Sequence, residues 1–139
     1  MIGTVLDKLR DVRRRKVLSP DLATGRRGED LAHRYLRRQG YVIVARNYRL
    51  AAGDAEADLI AHDEEDVVIV EVKTRESAEF GPPERAIGPE KQRHLLRVVR
   101  EYARKTGTPL DRFRIDVVAI VLGKPVSIEL FRRVVRVGK

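Results

Sequence analysis

The chain lacks cysteine and tryptophan altogether. Without thiols there are no disulfides, no thiolate metal sites and no cysteine nucleophile. Aromatic residues make up 5% of the 139 residues. Few rings are therefore at hand for stacking on bases, and Tyr48 and Phe80 read as core or loop anchors before base contacts. The longest unbroken apolar run is Val117 to Leu122, far short of the roughly 20 residues a membrane-spanning helix needs. Charges interrupt the opening MIGTVLDKLRDVRRRK where a signal peptide would carry its apolar stretch. No glycine-rich phosphate cradle, internal repeat or low-complexity tract is found, which argues against nucleotide hydrolysis. The expectation is a cytoplasmic protein without membrane contact.

What the chain does have is charge, unevenly placed. Its 29 Lys+Arg against 21 Asp+Glu leave a formal net charge of +8. Residues 1–16 hold six basic residues against two acids, and residues 91–139 hold thirteen against four. Between Leu50 and Val72 there is no Lys or Arg, while eight acids fall there. This pattern fits a polyanion held by basic flanks, with a cation in the acidic patch. It also fits a solvated surface whose acids cluster without function. The 42% apolar content supports a packed core, and the length suits one domain. The division expected is a basic arm or helix over 1–20, a single domain over 21–135 and a basic tail over 136–139.

Apolar residues recurring three or four apart predict helices at 4–17, 22–39 and 89–106. The second has Ala32, Tyr35 and Leu36 as its stripe and Gly40 as its stop; the third opens at Gly88-Pro89 and ends at Gly107. Alternating or β-rich stretches predict strands at 41–46, 56–62, 67–73, 113–122 and 126–131, with a loop at Phe80-Gly81-Pro82-Pro83. The order is (α)αβββαββ, an α/β domain on a central mixed sheet flanked by helices.

The chemistry concentrates in one hairpin. Closed by a four-residue loop, Asp63 to Asp66, it sets His62 opposite Val67. Antiparallel pairing then puts Ile60 opposite Ile69, Asp58 opposite Glu71 and Glu56 opposite Lys73, all on one face. The other face carries Ala57, Leu59, Ala61, Val68, Val70 and Val72, a plain core face. Carboxylates directly opposite each other, with Cβ atoms about 4.5–5.5 Å apart, destabilise a sheet. A divalent cation answers that cost, since carboxylate oxygens suit Mg²⁺, which also takes water and phosphate oxygens. Lys73 could then reach a scissile phosphate or the attacking water. The plainer alternative is an exposed sheet face with ordinary polar residues, although Ile60, Val67 and Ile69 on that face call for a cover.

Glu29 lies beside the buried stripe of its helix, where it either supports a metal or simply complements the helix dipole. His33, His62 and His94 have no metal-ligand spacing and read as surface histidines. Arg75 and Lys91 read equally as phosphate contacts or solvated charges. Asp116 falls in a buried strand, so a partner such as Arg114 or Arg46 is expected.

Asp58, then twelve residues, then Glu71-Val72-Lys73 resembles the PD-(D/E)xK nuclease signature, and the element order resembles a restriction-endonuclease-like core. Gly28-Glu29, Gly40-Tyr41, Asn47-Tyr48-Arg49, Asp58-Leu59-Ile60, Val70 to Arg75, Phe80-Gly81, Lys91 and Asp116-Val117-Val118 resemble the YraN-like family more narrowly, from about residue 24 to 131. That family is of predicted endonucleases similar to archaeal Holliday junction resolvases. Ala57 stands where the signature's name has proline. The loop between Asn47 and Asp58 is about two residues longer than usual, making Glu56 the family's acid and Asp54 an extra one. The resemblance implies that Asp58, Glu71 and the Val72 carbonyl hold Mg²⁺, with Mn²⁺ able to substitute. It implies that Lys73 positions or activates water, that Glu29 supports the metal shell, and that Arg49, Arg75 and Lys91 contact nucleic acid. Branched or single-stranded DNA is the substrate it suggests, and a homodimer would suit a two-fold junction.

The expectation is therefore a Mg²⁺-dependent DNA endonuclease, with the basic 89–106 helix and the tails holding the backbone. The alternative from another class is a nucleic-acid-binding module that keeps the nuclease fold without cutting. Loss of Asp58 abolishes activity in the first and leaves binding unchanged in the second. A protein-interaction domain, the third reading, predicts little salt dependence of DNA affinity.

Overall fold

The computed structural model describes residues 20–76 and 87–138. In chain order the elements are α1 (Pro20–Arg38), β1 (Val42–Arg49), β2 (Glu56–Asp63), β3 (Asp66–Arg75), α2 (Pro89–Thr106), a 3₁₀ turn (Leu110–Arg112), β4 (Phe113–Val121) and β5 (Ser127–Val135). The strands form one mixed sheet in the order β1-β2-β3-β4-β5. Only the β3–β4 pair is parallel, and α2 makes that crossover. The α/β class and element order are as expected. The helix at 4–17 and the Phe80–Pro83 loop lie outside the described residues.

Each helix covers one face of the sheet. Ala32 and Leu36 of α1, one turn apart, are fully buried against Leu59, Ala61, Val68, Val70, Val118 and Ile120. Leu95, Val98 and Val99 of α2 bury Ile60, Ile69, Ile115 and Val117 on the other side. Sandwiched between both layers, β4 is buried from Phe113 to Ile120, which is why it reads as an unbroken apolar run. Gly107 ends α2 with φ 70°, a left-handed conformation natural to glycine, and its N–H donates to the Ala103 carbonyl.

The hairpin register is the expected one, with His62 opposite Val67 and Ile60 opposite Ile69. Three details differ. The turn is only Glu64-Glu65, because Asp63 and Asp66 themselves pair. Those facing carboxylates are tolerated because the Arg114 guanidinium reaches both, at 2.8 and 2.9 Å. Second, the β2–β3 ladder stops at Leu59–Val70, while β3 continues on β4 to Arg75–Val121. Asp58 and Glu71 are therefore not ladder partners, and Glu56 does not face Lys73 but ion-pairs with Arg49 of β1 at 3.0 Å. Third, Ala57 packs in the α2-side core with Ile60 rather than with Leu59 and Ala61. The β1–β2 pairs pass from Arg46–Leu59 to Tyr48–Ala57, skipping Asn47 and Asp58, and Asn47 sits at φ 50°. Strict alternation fails across that irregularity. Its polar neighbours hide the end of β1 as well, which runs to Arg49 instead of stopping at Arg46. The last strand likewise continues past residue 131 to Val135, through an irregularity opposite Asp116 and a left-handed Arg133 at φ 56°.

Candidate active site

The site is the place where β2 leaves β3. With no partner strand there, the Val72 N–H is satisfied by the Asp58 carboxylate, Oδ2 at 2.7 Å. Asp58 is thereby aimed at β3, where its charge lies against the Glu71 carboxyl. The Glu71 side chain is 7% exposed and lies between two ammonium groups: Lys73 Nζ is 3.7 Å from Oε2 and Lys91 Nζ is 3.6 Å from Oε1. Lys91, from the first turn of α2, also donates to the Glu56 carbonyl at 3.2 Å. Burial, and then the Asp58 charge, push the Glu71 carboxyl up to about 8, against the pull of the two lysines.

Glu29 reaches the same place from α1. Burial and then Asp58 raise its carboxyl to about 7, while the Arg46 guanidinium and a hydrogen bond from Asn47 hold it down. Arg46 is 3.8 Å from Glu29 and 2.8 Å from Asp30. Together Glu29, Asp58, Glu71, Val72, Lys73 and Arg75 line a cleft of about 550 Å³.

The donor set fits a hard divalent cation. The Glu71 Oε1 atom is buried and accepts no hydrogen bond, and a second carboxylate faces it. An apolar ligand would leave that oxygen unanswered, whereas a cation would meet it. Among the described residues no three acidic or imidazole side chains form a closed cage. An open pair of carboxylates matches Mg²⁺, which keeps several waters and binds through one or two carboxylates plus phosphate oxygens.

The structure brings Asp58, Glu71, Val72, Lys73 and Glu29 together, and adds Lys91 directly to the carboxylate pair rather than leaving it on the surface. Arg75 is at the cleft, its guanidinium donating to the Thr74 carbonyl at 2.9 Å. Arg49 is not at the cleft; it is exposed and occupied by Glu56. None of the three histidines lines the cleft. Asp116, fully buried, pairs with Arg114 as expected and accepts the Arg133 N–H. Arg46 instead serves α1. Tyr48 is a core anchor, stacked edge-on against Tyr102 and donating to Glu101. Sequence reasoning missed Asn47 as a site residue. Its signal is its type, since asparagine, with aspartate and histidine, enters the left-handed region far more readily than other residues with a side chain.

The five-stranded mixed sheet with a helix on each face, in this element order, is that of an α/β domain with a restriction-endonuclease-like core. Residues 28–120 match the model described as "Uncharacterised protein family UPF0102", and the chain belongs to that family, the YraN family. A UPF0102 protein of Solibacter usitatus is 48% identical over 108 residues, covering 78% of this chain and 82% of the relative. One from Desulfosudis oleivorans is 44% identical over 108 residues, 78% and 85% of the two chains. One from Rhodococcus jostii is 44% identical over 106 residues, 76% and 88%. No helix among the described residues is long and apolar enough to cross a membrane.

Proposed function

We propose that the chain is a Mg²⁺-dependent DNA endonuclease of the cytoplasm, with Mn²⁺ able to replace Mg²⁺. The observation that carries the reading is the convergence of Asp58, Glu71 and Lys73 at the end of β3, with the buried Glu71 Oε1 left without a hydrogen bond. Asp58, Glu71 and the Val72 carbonyl are the groups that would hold the cation. When bound, Mg²⁺ supplies charge neutralisation at the phosphate and a more acidic water. Asp58 is fixed for its part by the Val72 N–H. Lys73 Nζ, tethered near Glu71, can donate to a scissile phosphate oxygen or hold the water in line for attack on phosphorus. Glu29 and Asn47 buttress the cleft from the α1 and β1 sides, and Arg75 at its rim can take a neighbouring phosphate.

The test is cleavage of labelled single-stranded, duplex and four-way-junction DNA in Mg²⁺, Mn²⁺ or EDTA. Metal-dependent cutting is expected, falling by about 10²-fold or more in Asp58→Ala and in Lys73→Ala. Cutting that persists in both variants refutes the site. DNA binding without cutting by the unaltered chain replaces the nuclease with a binding module.

A further inference from the structure

The geometry points to a second nucleic-acid contact, a ridge of arginines along the outer side of α2 that grips backbone phosphates away from the cleft. This rests on nucleic acid being the partner, as in the proposed function, but not on cutting. Arg93, Arg97, Arg100 and Arg104 are all exposed. At about 100° per residue they fall within about 60° of one another, on the side of the helix away from Leu95, Val98 and Val99, which face the core. The ridge is about 16 Å long, from the rise per residue between Arg93 and Arg104.

Three features separate it from an ordinary solvated face. First, every side chain that α2 itself places on the ridge is cationic, and the acid paired with it among the described residues is Asp54, on Arg97. The two acids of α2, Glu90 and Glu101, sit on its flank and are turned to His94 and to Tyr48 and Lys105. Second, Arg93, Arg100 and Arg104 make no ion pair or side-chain hydrogen bond with the described residues, while Arg97 is forked on Asp54 at 2.8 and 3.0 Å. Third, the spacings 93/97, 97/100 and 100/104 are those at which like charges repel on a helix. An isolated helix is weakened by this arrangement, and a polyanion reverses the sign of the effect. A duplex presents a phosphate charge about every 1.7 Å of its axis, so a ridge of this length can meet several without any base contact. Lys91 lies on the other side of the helix, against Glu71. Phosphates on the ridge are thus separate from the one at the carboxylates, and α2 has one side for each.

The experiment is fluorescence anisotropy of the full chain with a labelled duplex in EDTA over a range of salt. The variants are the triple change Arg93→Ala, Arg100→Ala, Arg104→Ala and the matching triple change to Lys, each checked for an unaltered melting curve. The slope of log K against log salt is expected to fall by about 2.7 in the alanine variant, about 0.9 for each phosphate left without its arginine, and to return in the lysine variant. An unchanged slope, a drop that lysine does not restore, or binding of anionic vesicles in place of DNA overturns the inference. If the unaltered chain cuts DNA and the slope does not move, the ridge fails and the nuclease stands. If the slope moves and nothing is cut, the ridge stands and the nuclease fails.

Discussion

Gly28 of α1 and Thr74 of β3 meet with no room between them: a Cβ on Gly28 would lie 1.8 Å from Thr74 Oγ1 and 2.8 Å from its Cβ. This is where the helix that carries Glu29 is pressed onto the strand that carries Glu71 and Lys73. Gly28→Ala gains about 1 kcal/mol of helix propensity but must move a helix held by the fully buried Ala32 and Leu36. Overpacking costs about 1–3 kcal/mol, so the net effect expected in urea denaturation is a loss. Adding Thr74→Ala removes the worst overlap and recovers part of it. Additivity of the two changes would show that they do not meet.

Cation binding should release protons near neutral pH. Glu71 and Glu29 are raised to about 8 and about 7 by burial and by Asp58, and a cation takes only ionised carboxylates. Mg²⁺ affinity is expected to rise from pH 6 to pH 8 and then level off. Calorimetry in two buffers of different ionisation enthalpy counts the protons. The metal-free protein shows the opposite trend. A carboxyl raised in the folded state leaves stability intact below the unfolded value and erodes it as pH climbs through the folded one. Glu71→Gln should therefore be more stable than the parent at pH 9, by on the order of 2 kcal/mol, and gain nothing from Mg²⁺.

Arg114 is the only cation within 4 Å of Asp63 and Asp116 among the described residues, and it shares Asp66 with Arg133. Its guanidinium also donates to the Tyr41 hydroxyl at 2.6 Å. Arg114→Met keeps the bulk and strands these carboxylates, at a cost of about 3–5 kcal/mol at pH 7. Burial already raises Asp116, so the loss should shrink as pH falls and the carboxylates take up protons. A deficit independent of pH would contradict the network.

Asn47 separates backbone from side chain. At φ 50°, Asn47→Gly relieves the conformation while deleting the bond to Glu29, and Asn47→Ala deletes the bond and strains the backbone by about 1–2 kcal/mol. Stability should fall further in the alanine variant, which adds the backbone strain to the loss both variants share. The Glu29 carboxyl, followed by NMR titration, should rise above about 7 in both, because the Asn47 bond holds it down.

The sequence shows the layers, the element order and the hairpin register because period-2 and period-3.6 patterns survive wherever a face is buried. Ile60, Ile69, Leu59 and Val70 keep to their faces, and the register follows. It does not show where pairing ends. Asp58 is brought beside Glu71 by its bond from the Val72 amide rather than by a ladder, and no residue type marks the last rung. Ala57 lies on the unexpected face for the same reason, since the left-handed Asn47 shifts the alternation by one without altering composition. Lys91 is eighteen residues from Lys73, and only the docking of α2 brings it to Glu71. Asp54, the extra acid of the longer loop, ties that loop to Arg97, a link that spacing alone does not reveal.

The unzipping of β2 from β3 has a consequence for motion. Glu71, Val72 and Lys73 lie on the central strand of five, still bonded to β4 through Arg75. Unlike a site on a surface loop, this one has no low-energy way to come apart by itself, because loosening it means opening the middle of the sheet. The Val70 amide, inside the buried ladder, should exchange its hydrogen only when the whole domain unfolds, while the Val72 amide, held by the Asp58 side chain alone, should exchange sooner, and faster still in Asp58→Ala. The floor of the cleft is as durable as the molecule that holds it.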